Sequence, residues 1–331
     1  MARCSLGSDC ADCGHRLLCK LVGASRVRLP RSVLPRTPST GLRLPQILFM
    51  VMGSSKYSHR ALLSPTTWCS VEGVVCTFFA DSPHPSTTNS SPSSPSSPSL
   101  LPSFPFVHVA ASYPASCCDR TTGRKGFFCE RHRTATLAAQ YRFLPALDFV
   151  RSSPAFRNGA YRWVVVVDDD SFVFPRKLQW LLSRLDHSKP LYLGDFGSSG
   201  EPTRMGIPNF ACGGGGSVLS VAALQRMELM RCVRSFHGRC MQSDWMIAGC
   251  ARRHNVSHLR ALGCGTCDIN RIDRAVVQSK LRRAECFFMQ NVESLKHHLP
   301  ASAHAPGIVH GLGNSEATEA FFWKYASHMR R

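Results

Sequence analysis

Three consecutive aspartates, Asp168, Asp169 and Asp170, close an apolar run in the stretch "VVVVDDDSF". The chain holds only 21 Asp and Glu against 40 Lys and Arg, so crowding three carboxylates at one point is unusual for it. Side by side they repel one another unless a cation or hydrogen-bond donors offset the charge. Hard oxygen ligands of this kind suit Mg²⁺ or Mn²⁺. A divalent ion held by one or two carboxylates keeps open positions for phosphate oxygens, which makes a nucleotide diphosphate the natural second ligand.

Two further stretches carry chemical potential. Gly213, Gly214, Gly215 and Gly216 are more glycines than a turn needs, and they let backbone approach a ligand or a neighbouring strand closely. They are not a dinucleotide fingerprint, because no G-x-G-x-x-G opens the following helix. Ser243-Asp244 begins an apolar helical pattern, which places Asp244 in a first turn, where the helix dipole favours an ionised carboxylate. A strand ending in Asp-x-Asp also starts phosphatase chemistry of the haloacid-dehalogenase type, with Asp168 as nucleophile and Asp170 beside it. That reading wants a small polar residue where Phe172 stands and a later pair of aspartates that the chain lacks.

The elements that must position these groups alternate between strand and helix. Residues 47–52 form an apolar run of the kind buried on both faces, followed by Gly53-Ser54-Ser55. Residues 74–79 form a second, ending in Ala80-Asp81, with room between the two for a crossover helix containing Arg60 and Trp68. Leu137, Tyr141, Leu144 and Leu147 suit a helix over 131–149, broken or bent at Pro145, and "YRWVVVV" gives the strand that delivers the triplet. Pro175 opens a helix whose Leu178, Leu181, Leu182 and Leu185 face one side. "PLYLGDF" reads as a short strand, "FACGGGGSVLS" as a strand entering the glycine turn, and Ser220 as the N-cap of "VAALQRMELM". Ser243 reads as the cap of a helix running through Cys250. This alternation predicts an α/β sheet, with ligands bound outside the carboxyl ends of its strands.

Residues 1–42 are a basic Cys-, Arg- and Pro-rich leader without periodicity, expected to be disordered. A single domain is expected over 43–313, interrupted by a Ser/Pro-rich insertion at 82–105 that cannot bury a core, with a tail at 314–331. The formal net charge is +19, and residues 1–60 alone carry ten Lys and Arg against Asp9 and Asp12. The basic arm explains much of the excess, and with no nucleic-acid reading element present, nucleic acid is not the expected partner. Sixteen cysteines point to an oxidising compartment. The pairs Cys10/Cys13 and Cys264/Cys267 lie too far apart to make a shared zinc knuckle the preferred reading. The sequons at Asn89 and Asn255 fit a lumenal chain. No apolar stretch of about 18 to 20 residues is present to cross a membrane, so the expectation is either a soluble chain or one whose N-terminus is incomplete.

The order of these motifs resembles the Fringe-like glycosyltransferases, in particular the plant and fungal branch related to β-1,3-glycosyltransferases. The resemblance rests on the D-D-D-S-F strand end, the apolar helix, "YLG", "FACGGGGSVLS", a Cys, a Ser-Asp opening a helix that reaches Cys250, and a late apolar strand reaching His310. It covers about 161–313, with support from "ILFMVMGSS…R…W…VVCTFFAD" at 47–81. It implies a GT-A-type nucleotide-sugar transferase fold, a mixed and mostly parallel sheet flanked by helices. It also implies inverting transfer of a sugar from a UDP-sugar to a glycan or glycoprotein hydroxyl with Mn²⁺ or Mg²⁺ as cofactor. In that likeness Asp170 is the direct metal ligand, Asp168 and Asp169 serve the metal shell and the nucleotide ribose, and Asp81 contacts uracil or ribose. His310 resembles a late metal-binding histidine, the segment Gly213, Gly214 and Gly215 lines the pocket on its acceptor side, and Asp244 resembles the general base. Relatives carry a disulfide where Cys232 and Cys250 stand, and a signal anchor that would place the chain in the Golgi or another secretory membrane. A catalytically inactive relative that binds a glycan or protein partner through the same cleft is the alternative.

Overall fold

In a computed structural model the described residues are 41–53, 60, 63–80, 106–109, 140–198, 203–207, 209–236, 241–267, 274–282, 286–289 and 307–309. The expected leader, the Ser/Pro-rich stretch at 82–105, the tail, Asn89, Cys10 and Cys13 lie outside them, except for residues 41 and 42. The strands, in chain order, are β1 (Ile47–Met52), β2 (Val75–Ala80), β3 (Phe106–His108), β4 (Trp163–Asp168), β5 (Phe172–Val173) and β6 (Leu191–Gly194). They continue with β7 (Phe196–Gly197), β8 (Phe210–Ala211), β9 (Ser217–Ser220), β10 (Ser257–Leu259), β11 (Phe288–Met289) and β12 (Ile308–Val309). The helices used below are α1 (Phe143–Ser152), α2 (Pro175–Leu182), α3 (Val221–Arg226), α4 (Leu229–Phe236) and α5 (Ser243–Arg253).

The main sheet has the order β10-β6-β9-β4-β1-β2-β3. β1 pairs in parallel with both β2 and β4, β2 with β3, and β10 with β6, while β9 runs antiparallel between β4 and β6. This is a mixed, mostly parallel α/β sheet, as the alternation of strand and helix predicts. All six residues of β1 are buried, and its alternate side chains enter two separate cores. Ile47, Phe49 and Val51 join Trp163, Val165 and Val167 against α2, whereas Leu48, Met50 and Met52 join Val164 and Val166 against α1, α3 and α5. Burial on both faces is why these strands are continuously apolar rather than alternating.

Local chemistry sets several boundaries. The break expected at Pro145 falls at Arg142, between helical residues 140–141 and α1, which leaves Pro145 as the third residue of α1, where a backbone N–H has no intrahelical partner to lose. Ser220 caps α3, its Oγ accepting from Ala223 N at 3.1 Å. The helix expected from there splits into α3 and α4, because Met227 O accepts from Arg151 Nη1 and Glu228 N donates to His254 Nε2, partners from outside the helix. Gln242, not Ser243, is the N-cap of α5, and Ser243 N donates instead to Gln140 Oε1. Between β1 and β2 the described residues hold a short helical turn, Leu63–Thr66, and a 3-10 turn, Trp68–Ser70, with Trp68 fully buried edge-on to Phe49.

Four disulfides are present among the described residues: Cys69–Cys76, Cys212–Cys267, Cys232–Cys250 and Cys264–Cys286. Cys232–Cys250 joins α4 to α5. Cys264 and Cys267 are each bonded to a different partner and are not a metal-binding pair. No helix of the described residues is long and apolar enough to cross a membrane.

Candidate functional site

β1, β2 and β4 all point their carboxyl ends to one edge, with Met52 in register with Asp168. Asp168 is the last residue of β4, and Asp169 and Asp170 form the turn that follows. Because β9 is antiparallel to β4, with Ser217 opposite Val166, the glycine segment just before β9 is delivered to the same edge. Ser171 Oγ then donates to Gly214 O at 2.6 Å, tying the triplet's loop to the glycine turn.

The four glycines fall into distinct roles. Gly216 has φ +87°, and a Cβ there would meet Ile308 Cδ1 at 2.5 Å, so both backbone and space require glycine. Gly214 and Gly215 are buried within the 3-10 turn Gly213–Gly215. Gly213 lies between the two acidic elements: a Cβ at this position would be 3.8 Å from Asp168 Oδ2 and 3.8 Å from Asp244 Cβ.

Asp244, in the first turn of α5, is buried. Its Oδ1 accepts from Trp245 N at 2.9 Å, and Gly213 N also donates to its carboxylate. Burial pushes the carboxyl up to about 7, the nearby Asp168 charge adds to this, and the backbone donors only partly offset it. The helix N-terminus therefore does not keep Asp244 at the ordinary carboxylate value that its first-turn position alone suggests, since dehydration outweighs a dipole contribution of about 0.3–1 kcal/mol.

Asp169 is more deeply placed than its neighbours. Burial, followed by the charges of Asp170 and Asp168, pushes its carboxyl up to about 8, against the pull of Arg60 and Arg142. Its Oδ2 is buried with no hydrogen-bond partner among the described residues. An orphaned carboxylate oxygen within three adjacent hard-oxygen donors fits a divalent cation or a ligand hydroxyl, and Asp168, Asp169 and Asp170 are the residues that could hold them.

Arg60, which the sequence reading placed only in a crossover, reaches this cluster. Its Nη1 is 2.7 Å from Asp170 Oδ2 and 3.8 Å from Asp169 Oδ1. Arg142, buried beside α1, acts on Asp169 through its charge. Arg60 stands in the 47–81 pattern of the resemblance without a role assigned to it, and Arg142 carries no sequence signal among 40 Lys and Arg. Asp81 and His310 lie outside the described residues. The residues before them are ordered at the site's edge: Ala80 ends β2, and Val309 of β12 pairs with Phe172, two positions after Asp170.

A second layer holds the Asp244 side. Asp195, just after β6, accepts from Gly265 N at 2.7 Å and from Thr266 N at 2.8 Å, fixing the loop whose Cys267 is bonded to Cys212, next to Gly213. The Tyr192 hydroxyl accepts from Ala211 N at 3.1 Å, and burial raises its pKa.

With this geometry in view, comparison with known proteins finds the Fringe-like family model over residues 112–256. The match starts within the stretch before Tyr161 and stops short of β12. Mouse chondroitin sulfate synthase 3 is 28% identical over 211 residues, covering 61% of this chain and 20% of the relative. Human β-1,3-glucosyltransferase is 37% identical over 82 residues, 25% of this chain and 15% of the relative. The chain thus spans a fifth or less of these two curated relatives. Among solved structures, a glycosyltransferase involved in the glycosylation of the major capsid of PBCV-1 aligns at 12% identity and a TM-score of 0.42, over 84% of this chain and 99% of its own. A galactosyltransferase solved with donor and acceptor sugar analogs aligns at 8% identity and a TM-score of 0.42, over 85% and 95%.

Proposed function

We propose that this chain, which the Fringe-like family model matches over residues 112–256, is a metal-dependent inverting glycosyltransferase. It moves a sugar from a UDP-sugar to a hydroxyl of a glycan or glycoprotein. The observation that carries the reading is the meeting of Asp168, Gly213 and Asp244 at one sheet edge, beside the orphaned Oδ2 of Asp169. One carboxylate cluster is suited to a cation and a diphosphate, and a separate buried carboxylate is suited to taking a proton.

Asp170 and Asp168 would hold the cation, Mn²⁺ or Mg²⁺, together with His310, and Asp169 and Asp81 would serve the nucleotide. When bound, the cation supplies Lewis-acid neutralisation of the leaving diphosphate. The chain's own residues do the rest. Asp244 removes the acceptor hydroxyl's proton as the oxygen attacks the sugar's anomeric carbon from the face opposite UDP, which inverts the configuration. Gly213 N–H and Trp245 N–H fix the orientation of that carboxylate. A base with a pKa near 7 matches its task at neutral pH, since it is partly ionised yet still basic enough to accept a proton. Gly213, Gly214 and Gly215 keep this wall thin, so an acceptor can approach Asp244 past bare backbone.

Four disulfides agree with an oxidising lumen, so we assign the chain to the secretory pathway, the Golgi or a neighbouring compartment. The test is turnover of UDP-sugars by the full chain with and without Mn²⁺, in parallel with Asp170→Ala and Asp244→Asn. Metal-dependent UDP release by the wild type that both variants lose supports the reading. Metal-dependent UDP binding with no turnover of any UDP-sugar would move the chain to a binding role in the same cleft.

A further inference from the structure

The guanidinium of Arg60 sits where a cation would sit. Its Nη1 lies 2.7 Å from Asp170 Oδ2 and 3.8 Å from Asp169 Oδ1, and the side chains are only 14% and 20% exposed for Arg60 and Asp170. A pair this sheltered is poorly screened by water, and its partners are strongly coupled. A divalent ion bound by Asp170 would lie close to the guanidinium now at Oδ2, and two positive charges at that distance repel one another. The two cations therefore compete for one carboxylate.

We propose that Arg60 is the counter-ion of the unloaded triplet and passes to the donor's diphosphate when a divalent cation takes Asp170. The inference rests on the glycosyltransferase reading and assigns to it a residue outside the 112–256 family match. The displaced guanidinium gives up its closest carboxylate contact while still sheltered, which is unfavourable. A diphosphate that arrives with the cation restores an anionic partner, and the planar donor fork of arginine suits phosphate oxygens. Arg60 is well placed for the exchange because it belongs to the crossover leaving β1, whose Met52 is in register with Asp168. The unloaded site thereby keeps a positive charge beside Asp170, and tight cation binding is made conditional on nucleotide.

The exchange predicts two shifts of opposite sign from one substitution. In the nucleotide-free full chain, Arg60→Ala removes the competitor, so Mn²⁺ titrated by calorimetry binds about tenfold more tightly than to wild type. At saturating Mn²⁺ the same variant binds UDP about tenfold or more weakly, through loss of a charge-assisted contact. Arg60→Lys, which keeps the charge and is the less disruptive change, retains wild-type Mn²⁺ affinity within about threefold but loses part of the UDP affinity, because the fork is gone. Mn²⁺ affinity unchanged or weakened in Arg60→Ala, or UDP affinity unchanged in both variants, overturns the proposal. Wild-type protein that fails to bind UDP with Mn²⁺ at all overturns the glycosyltransferase reading instead.

Discussion

The wall of the candidate site that carries the aspartate triplet and the wall that carries Asp244 meet at Gly213, and they are built from different materials. The triplet hangs from β4, a six-residue strand whose whole length is paired to β1 on one side and most of it to β9 on the other. Backbone register and two-faced burial place it. The Asp244 wall has only two-residue strands, β7 and β8, a 3-10 turn and a helix. Three of the four described disulfides, together with Asp195, cross-link this wall and the loops behind it. A long ladder aligns a side chain without help, whereas strands of two residues bury too little to do so. Here covalent links take that role.

The comparison is sharpened by the largest expected effect. Asp244→Ala should lower transfer about 10²- to 10⁴-fold, the usual worth of a general base, while leaving Mn²⁺-dependent UDP binding intact. Asp170→Ala should abolish that binding. If both variants lost UDP affinity equally, the two walls would not be functionally separate.

Next in size are the cross-links. Replacing both cysteines of Cys212–Cys267, separated by 55 residues, should cost about 4 kcal/mol, and of Cys69–Cys76, separated by 7, about 2 kcal/mol, if loop entropy governs. Chemical denaturation of the double-Ala variants measures both, and a reversed order would contradict the view that the Asp244 wall depends more on its disulfides. A smaller step is expected for Gly216→Ala, at about 1–3 kcal/mol, since φ +87° and the contact with Ile308 both resist a side chain. Thermal unfolding of that variant checks it.

The smallest effect is a slope. Asp244 and Asp169 have carboxyls raised to about 7 and about 8, so both prefer to stay protonated in the folded chain. The stability they contribute is fully present below about pH 4 and is lost as pH rises through 7 and 8. In the absence of divalent cation, melting temperature should therefore fall across that window, and Asp244→Asn should flatten the fall. A melting temperature that rose with pH in the wild type by the amount removed in the variant would show the sign to be wrong.

The two walls also differed in how far the sequence revealed them. β1 is legible residue for residue, and the triplet strand, the helix opened by Pro175 and the Ser220 cap follow from apolar runs and capping chemistry. Those signals are local. The reversed direction of β9, which brings the glycine turn beside Asp168, has no local signature, because a buried strand reads alike in either direction. Cys264 and Cys267 look like a pair at three residues' spacing, yet they bond to Cys286 and Cys212. Sequence spacing says nothing about which chain segment lies across the loop. Asp244 could be placed in a helix's first turn, but not in the dry environment that raises its pKa, since its neighbours there, Asp168 and Gly213, are distant in sequence.

The most direct test of the central claim is the affinity of the full wild-type chain for UDP, measured by calorimetry with and without Mn²⁺, beside Asp170→Ala. The account predicts binding that requires Mn²⁺ and disappears in the variant. Binding of equal strength without the cation, or none by folded wild-type protein, would contradict it.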